Sequence, residues 1–172
     1  LLAAGNYPQQ FFPKLVVDVM AHPGIEKSAP TGPRYLDRTI CEGELGEVIE
    51  DAVAATAKNL RRISVIEGAG RKDELEIPEE VLREAIANAV IHREYGPRHV
   101  GQSVTVDIYP DRVEITNPGG LWGGKTLDNI TDGISLCRNA ALIRLMSAVE
   151  LPGGTGRPAE GGGGGVSFMI RV

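Results

Sequence analysis

The sequence predicts an α+β fold: a two-layer sandwich in which helices cover one face of a mixed, largely antiparallel sheet. Three observations lead there. "SVTVDIYPDRVEITNPGG" alternates apolar and polar residues on both sides of Pro110-Asp111, the pattern of a hairpin with one face buried. "ELGEVIEDAVAATAKNLRRI" and "EEVLREAIANAVIHREY" carry apolar residues at helical spacing. The order runs strand, helix, strands, helix, hairpin, helix, with no internal repeat, and such an order favours helices segregated to one side of a sheet.

Each element has its own signal. "KLVVDVMAH", Lys14 to His22, is β-rich and reads as a buried strand. "PGIEKSAPTGPRY" is punctuated by Pro and Gly and reads as a loop; "RYLDRTICEG" offers a short strand after it. The first long helix places Leu45, Val48, Ile49, Ala52 and Val53 on one face, with basic residues in its last turn. "ISVIEG" and "ELEI" read as strands paired across an "AGRKD" turn. Pro78 opens the second helix, followed by Glu79 and Glu80, residues suited to a helix N-terminus; this helix is expected to end near Tyr95, before Gly96-Pro97. "TLDNI" reads as a short helical turn. "NAALIRLMSAV" reads as an amphipathic helix with Arg138 or Asn139 at its start. "LLAAG" reads as a helix end capped by Gly5, and both ends of the chain look cut from something longer. Residues 1–40 read as lead-in strands from a preceding region.

Composition sets outer limits. The 172 residues suffice for one domain with a real core. A net charge of −5 leaves no broad basic surface, so nucleic-acid contact would need a local patch or another domain. Cys41 and Cys137 are far apart and outside metal-ligand spacing, which fits a reduced, cytoplasmic setting rather than a disulfide scaffold. No apolar run reaches membrane-spanning length, and no signal peptide is visible, so no membrane partner is expected.

The second helix carries the chemistry. Glu84, Asn88 and His92 recur every four residues and stack on one face beside an oily one of Ala85, Ile86, Ala89 and Val90. A carboxylate there can take a proton from water. An Asn oxygen can ligate a hard cation such as Mg²⁺, which keeps waters and phosphate oxygens as its other ligands. Phosphates would in turn need backbone N–H donors of the kind glycine-rich turns and helix starts provide. Two such segments follow: "NPGGLWGG" and "GGTGRPAEGGGGGV". The plainer readings are a solvated helix face, a strand-ending turn and a flexible linker.

"EEVLREAIANAVIHREY", "YPDRVEITNPGGL" and the late Gly-rich stretch, in this order, resemble the C-terminal domain of RecG-like, Schlafen/AlbA-associated bacterial transcriptional regulators, which is similar to the ATP-binding fold shared by gyrase B, histidine kinases and MutL. The resemblance covers roughly Ile77 to Val149, with a weaker likeness from "LLAAGNYPQQFFP" onward. It implies one ATPase-like domain over 1–172 that binds ATP and Mg²⁺. Glu84 falls on the water-activating carboxylate of the family's N-box and Asn88 on its Mg²⁺ ligand. His92 and Arg93 fall near the phosphates. Asn117, Gly119 and Gly120 fall on the adenine-binding turn. Residues 153–165, with Gly154 and Gly156, fall on the ATP lid, equally readable as a linker, and "VSFMIRV" on the helix after it. Two departures stand out: Asn117 replaces the family's adenine-contacting Asp, and Leu121 takes the place of a motif glycine.

The function expected is an ATP-binding regulatory module with slow or no hydrolysis. The resemblance further implies DNA as a partner through an AlbA-like N-terminal domain; a homodimer is a further expectation. The alternative is a nucleotide-free dimerisation domain with a vestigial pocket. A helicase motor is excluded from this stretch because no G-x-x-x-x-G-K-[ST] occurs, and "GGTGRP" follows no strand as a dinucleotide fingerprint must. Trp122 reads either as a stacking surface for a base or as a core plug, and the plug is the favoured reading. Arg71 and Lys72 with "NLRRI" read as solvated basic residues. His22 and His99 show no partner pattern.

Overall fold

The computed structural model describes residues 2–27, 31–67, 70–148 and 165–171. Four strands form the main sheet: β1 (Val17–Ala21), β2 (Asp37–Cys41), β5 (Val104–Ile108) and β6 (Val113–Thr116). Their order is β2-β1-β5-β6. β1 runs antiparallel to β2 but parallel to β5, with Val17 opposite Val104 and Ala21 opposite Ile108. β5 and β6 form the predicted hairpin, Val106 opposite Ile115. The sheet is therefore mixed and mostly antiparallel, as the sequence implies.

Helices α1 (Leu45–Asn59) and α2 (Glu79–Ile91) cover one face. Successive side chains on a strand point to opposite faces. Val17, Val19 and Ala21 of β1 and Val104, Val106 and Ile108 of β5 accordingly join the core beneath the helices, against Leu45, Val48, Ile49, Ala52, Leu82, Ile86 and Val90. Full burial of one such aliphatic side chain contributes roughly 1.5–3 kcal/mol. Arg83 of α2 pairs with Glu50 of α1 at the rim of that layer.

Between the two helices in sequence comes a separate hairpin, β3 (Arg62–Glu67) and β4 (Gly70–Leu75). Glu67 pairs with Gly70, so the reversal is tighter than the expected "AGRKD" turn, and Arg71, Lys72 and Asp73 belong to the strand. Lys72 pairs with Glu74 at 2.9 Å along one face of β4, and charged side chains of this kind suit an exposed strand.

Other boundaries shift for local reasons. α2 ends at Ile91 rather than near Tyr95; Asn139 donates to the carbonyl of Ile91, the last helical residue, and to that of Arg93 just beyond it. "TLDNI" forms turns held by Asn129, whose Oδ1 accepts from the Thr126 amide at 2.7 Å, an Asx-type bond that competes with helix. Residues 2–4 form a turn, not a helix end. α3 (Ala140–Met146) and α4 (Gly165–Arg171) complete the fold, with Asn139 at the N-cap of α3. α4 packs on α2. Among the described residues no helix is long and apolar enough to cross a membrane.

Candidate functional site

The site is built around α2. Pro78 stands at its N-cap and Glu79 and Glu80 in its first turn, favourable against the helix dipole. Leu82, Ile86, Ala89 and Val90 anchor its inner face in the core, which leaves Glu84, Asn88 and His92 on a half-buried outer flank. Asn88 Nδ2 donates to Glu84 Oε1 at 2.8 Å. An ionised carboxylate only accepts, so the amide nitrogen must face Glu84, and the Asn88 carbonyl oxygen is left for another partner.

The start of α4 lies directly over this pair. A Cβ at Gly165 would overlap the Glu84 carboxylate and approach Asn88 Nδ2 to 3.1 Å. Only glycine allows so close an approach of backbone to side chain. The helix expected in "VSFMIRV" is present, and its start meets Glu84 and Asn88.

His92 sits at the C-cap of α2, its backbone N–H bonded to the Asn88 carbonyl. Burial pulls its pKa below the ordinary value and the Arg138 charge adds to that; Glu84 pulls the other way. Beyond His92 the "NPGG" turn closes on the helix end. The Glu94 amide donates to the Pro118 carbonyl at 2.7 Å. Gly119 has φ +97°, and a Cβ there would collide with Glu94 and the Arg138 guanidinium. Glycine is therefore required at 119 by both conformation and space. Gly120 has open space around it, and its carbonyl accepts from Arg138 Nη2 at 2.6 Å. Asn117 is half-buried and makes no side-chain hydrogen bond among the described residues.

Arg138 and Asn139, placed by the sequence only at a helix start, prove to belong to the site. Arg138 lies 3.6 Å from Glu94, and its guanidinium covers the Trp122 ring at 5.2 Å. Trp122 is 49% exposed, so it is a platform for Arg138 and not a core plug. Asn139 Nδ2 donates to the carbonyls of Ile91 (2.7 Å) and Arg93 (3.0 Å), closing the end of α2. A cleft of about 390 Å³ runs beside them, lined by Leu2, Tyr95, Arg138, Asn139 and the first residues of α3. No spacing rule links Arg138 to Glu94, so only the fold reveals the pair.

The structure thus brings Glu84, Asn88 and Gly165 together, and gathers His92, Asn117, Gly119 and Gly120 around the C-terminal end of α2. Arg93 turns elsewhere: its Nη2 donates to the Gln102 carbonyl at 2.9 Å. Gly154 and Gly156, and with them the lid-or-linker reading of 153–165, lie outside the described residues. Among the described residues no cluster of three or more His, Cys, Asp or Glu is placed to hold a metal. An Asn-plus-phosphate Mg²⁺ site needs no such cluster.

The geometry is an open α+β sandwich with an acid–amide pair on a central helix. Residues 101–172 match the family model described as "Putative ATP-dependent DNA helicase recG C-terminal", and this stretch is RecG C-terminal-like, as the sequence resemblance implies. Among solved structures, the DIP2311 protein from Corynebacterium diphtheriae is similar, with a TM-score of 0.70 and 25% identity over 89% of this chain and 28% of that chain. The chain therefore spans little more than a quarter of that protein. No curated protein matches it.

Proposed function

We propose that this chain is a nucleotide-binding regulatory module that takes Mg–ATP against the outer flank of α2. The observation that carries the proposal is the Glu84–Asn88 pair at 2.8 Å beneath the start of α4, in a chain whose residues 101–172 match a RecG C-terminal family model. The residues fit the group. Asn88 keeps a carbonyl oxygen for Mg²⁺, whose remaining ligands would be waters and phosphate oxygens. Asn117 keeps an unengaged amide able to accept from an adenine amino group, without the charge an Asp would bring. Glu84 is the base available to a water; its amide tie to Asn88 fixes its orientation but supplies no second charge, which suits slow turnover or none.

Binding must move the start of α4 off Glu84, because no cation or phosphate fits where Gly165 lies. That displacement is the module's proposed output, felt as altered dimerisation or by an N-terminal DNA-binding domain of the kind the resemblance implies. The same crowding favours a second reading, in which α4 seals a vestigial pocket and the domain only mediates contacts between proteins.

Calorimetric titration with ATP, with and without Mg²⁺, tests the proposal. Saturable Mg-dependent binding that disappears in Asn88→Ala supports it. No heat at millimolar ATP from folded protein overturns it and leaves the sealed-pocket reading.

A further inference from the structure

We infer that a second, independent ligand site lies between the N-terminal segment and the connection from α2 to β5, built to take a small apolar carboxylate on Arg93. A cavity of about 120 Å³ is lined there by Leu2, Phe12, Leu15, Arg93, Tyr95 and Val100. Its walls are apolar except for one guanidinium. Arg93 is only 3% exposed. Its Nη2 donates to the carbonyls of Gln102 (2.9 Å) and His99 (3.4 Å), while Nε is buried with no partner. No carboxylate pairs with it among the described residues, although every other buried charged side chain there has an ion-pair partner. A buried charge without a counter-ion is costly, and carbonyl oxygens offset only part of that cost. An anion entering the cavity would supply the missing acceptor.

The walls are fixed in advance, as ligand pockets usually are. Gln9 is buried and donates to the Leu15 carbonyl at 2.8 Å and the Gly43 carbonyl at 3.0 Å, pinning the segment that carries Phe12 and Leu15. The Tyr95 hydroxyl donates to the Val90 carbonyl at 2.8 Å, which sets its ring as a wall 5.1 Å from the Arg93 guanidinium. Size and lining choose the ligand. The volume is somewhat below the roughly 150 Å³ that holds a benzene ring, too small for a nucleotide. A phosphate would find one cation and apolar walls, whereas a carboxylate with a short branched tail meets both the charge and the walls. The site shares no residue with the Glu84–Asn88 pair and does not rest on nucleotide binding.

The test titrates the whole chain with sodium 3-methylbutanoate, using 3-methylbutanamide as the uncharged control, and follows the Arg93 Nε–H and the Val100 and Gln102 amides by NMR. Saturable shifts at millimolar acid are expected, with the amide at least about tenfold weaker because it lacks the charge-assisted bond. Arg93→Gln risks the fold, so the deciding variant is Val100→Phe. Val100 is 44% exposed at the cavity mouth, and the larger ring should weaken binding about tenfold or more without changing thermal stability. Equal affinity for acid and amide, unsaturated shifts to about 50 mM, or unaltered binding in Val100→Phe would each overturn the assignment.

Discussion

His22 Nε2 lies 2.7 Å from Asp107 Oδ1 on the sheet face away from the helices, and both side chains are shut off from solvent. Lys27 donates to the other oxygen at 2.8 Å. Tyr109 stacks on the imidazole at 4.6 Å, and Tyr35 meets its edge at 5.4 Å. The β1–β2 loop is thus tied across the sheet through a single carboxylate.

Removing that carboxylate should be costly. Burial alone would raise the Asp107 pKa, but the Lys27 and His22 hydrogen bonds overcome it and hold the group below the ordinary value of 3.8. A depressed folded-state pKa stabilises the fold above the unfolded pKa, and the contribution is lost as pH falls through the folded one. Wild-type stability should therefore begin to drop near pH 3.8 and keep dropping below it. Asp107→Ala should lose about 3 kcal/mol at neutral pH and lack that part of the acid limb. Urea denaturation across pH measures both; an unchanged midpoint would refute the tie.

His92 offers a signed test of the site's electrostatics. With burial and Arg138 lowering its pKa, the imidazole should titrate below 6.5 in NMR. Arg138→Gln should move it up and Glu84→Gln move it further down. The unfolded chain binds this proton more readily, so the His92 contribution is present above the unfolded pKa and lost as pH falls. A titration at or above 6.5 in the wild type would contradict this environment.

The two glycines of the turn should respond unequally. Gly119→Ala meets positive φ and a collision with Glu94 and Arg138, and should cost roughly 1–3 kcal/mol. That corresponds to a fall of several degrees in Tm for a chain of this size, at about 2–4 °C per kcal/mol. Gly120→Ala meets open space and should leave Tm nearly unchanged. Equal shifts in a thermal melt would show that the turn is not seated as described.

Gly165→Ala should detach α4 from α2 without unfolding the core, since the added methyl strikes the Glu84 carboxylate. Hydrogen exchange should quicken over residues 165–171 and stay slow across the buried part of α2. Unaltered exchange at the C-terminal helix would show that the contact is loose.

Local patterns made much of this fold readable. The apolar spacing of α1 and α2 and the alternation of β5 and β6 mark them directly. The Glu84–Asn88 spacing marked the candidate pair, and the glycines the turn. What was hidden depends on distant partners. His22 gains a role only because Asp107, far along the chain, lies across the sheet. The "VTVDIY" alternation implied one wet face, yet Asp107 and Tyr109 are buried too, under the β1–β2 loop. Trp122 looked like core because large aromatics usually are; Arg138 gives it a partner at the surface instead. Arg93 follows His92 in sequence but points away from it, a separation that helical geometry alone does not settle.

The parallel pairing of β1 with β5 has a practical consequence for anyone dissecting the molecule. The stretch recognised by the family match, residues 101–172, contains β5 and β6 but neither β1 nor β2. Expressed alone, it would present the whole inner rim of β5 as unpaired backbone beside bare Val104, Val106 and Ile108. Such a rim recruits copies of itself. A boundary drawn by sequence similarity would yield inclusion bodies, whereas one drawn to include Val17–Cys41 keeps the sheet closed at its centre.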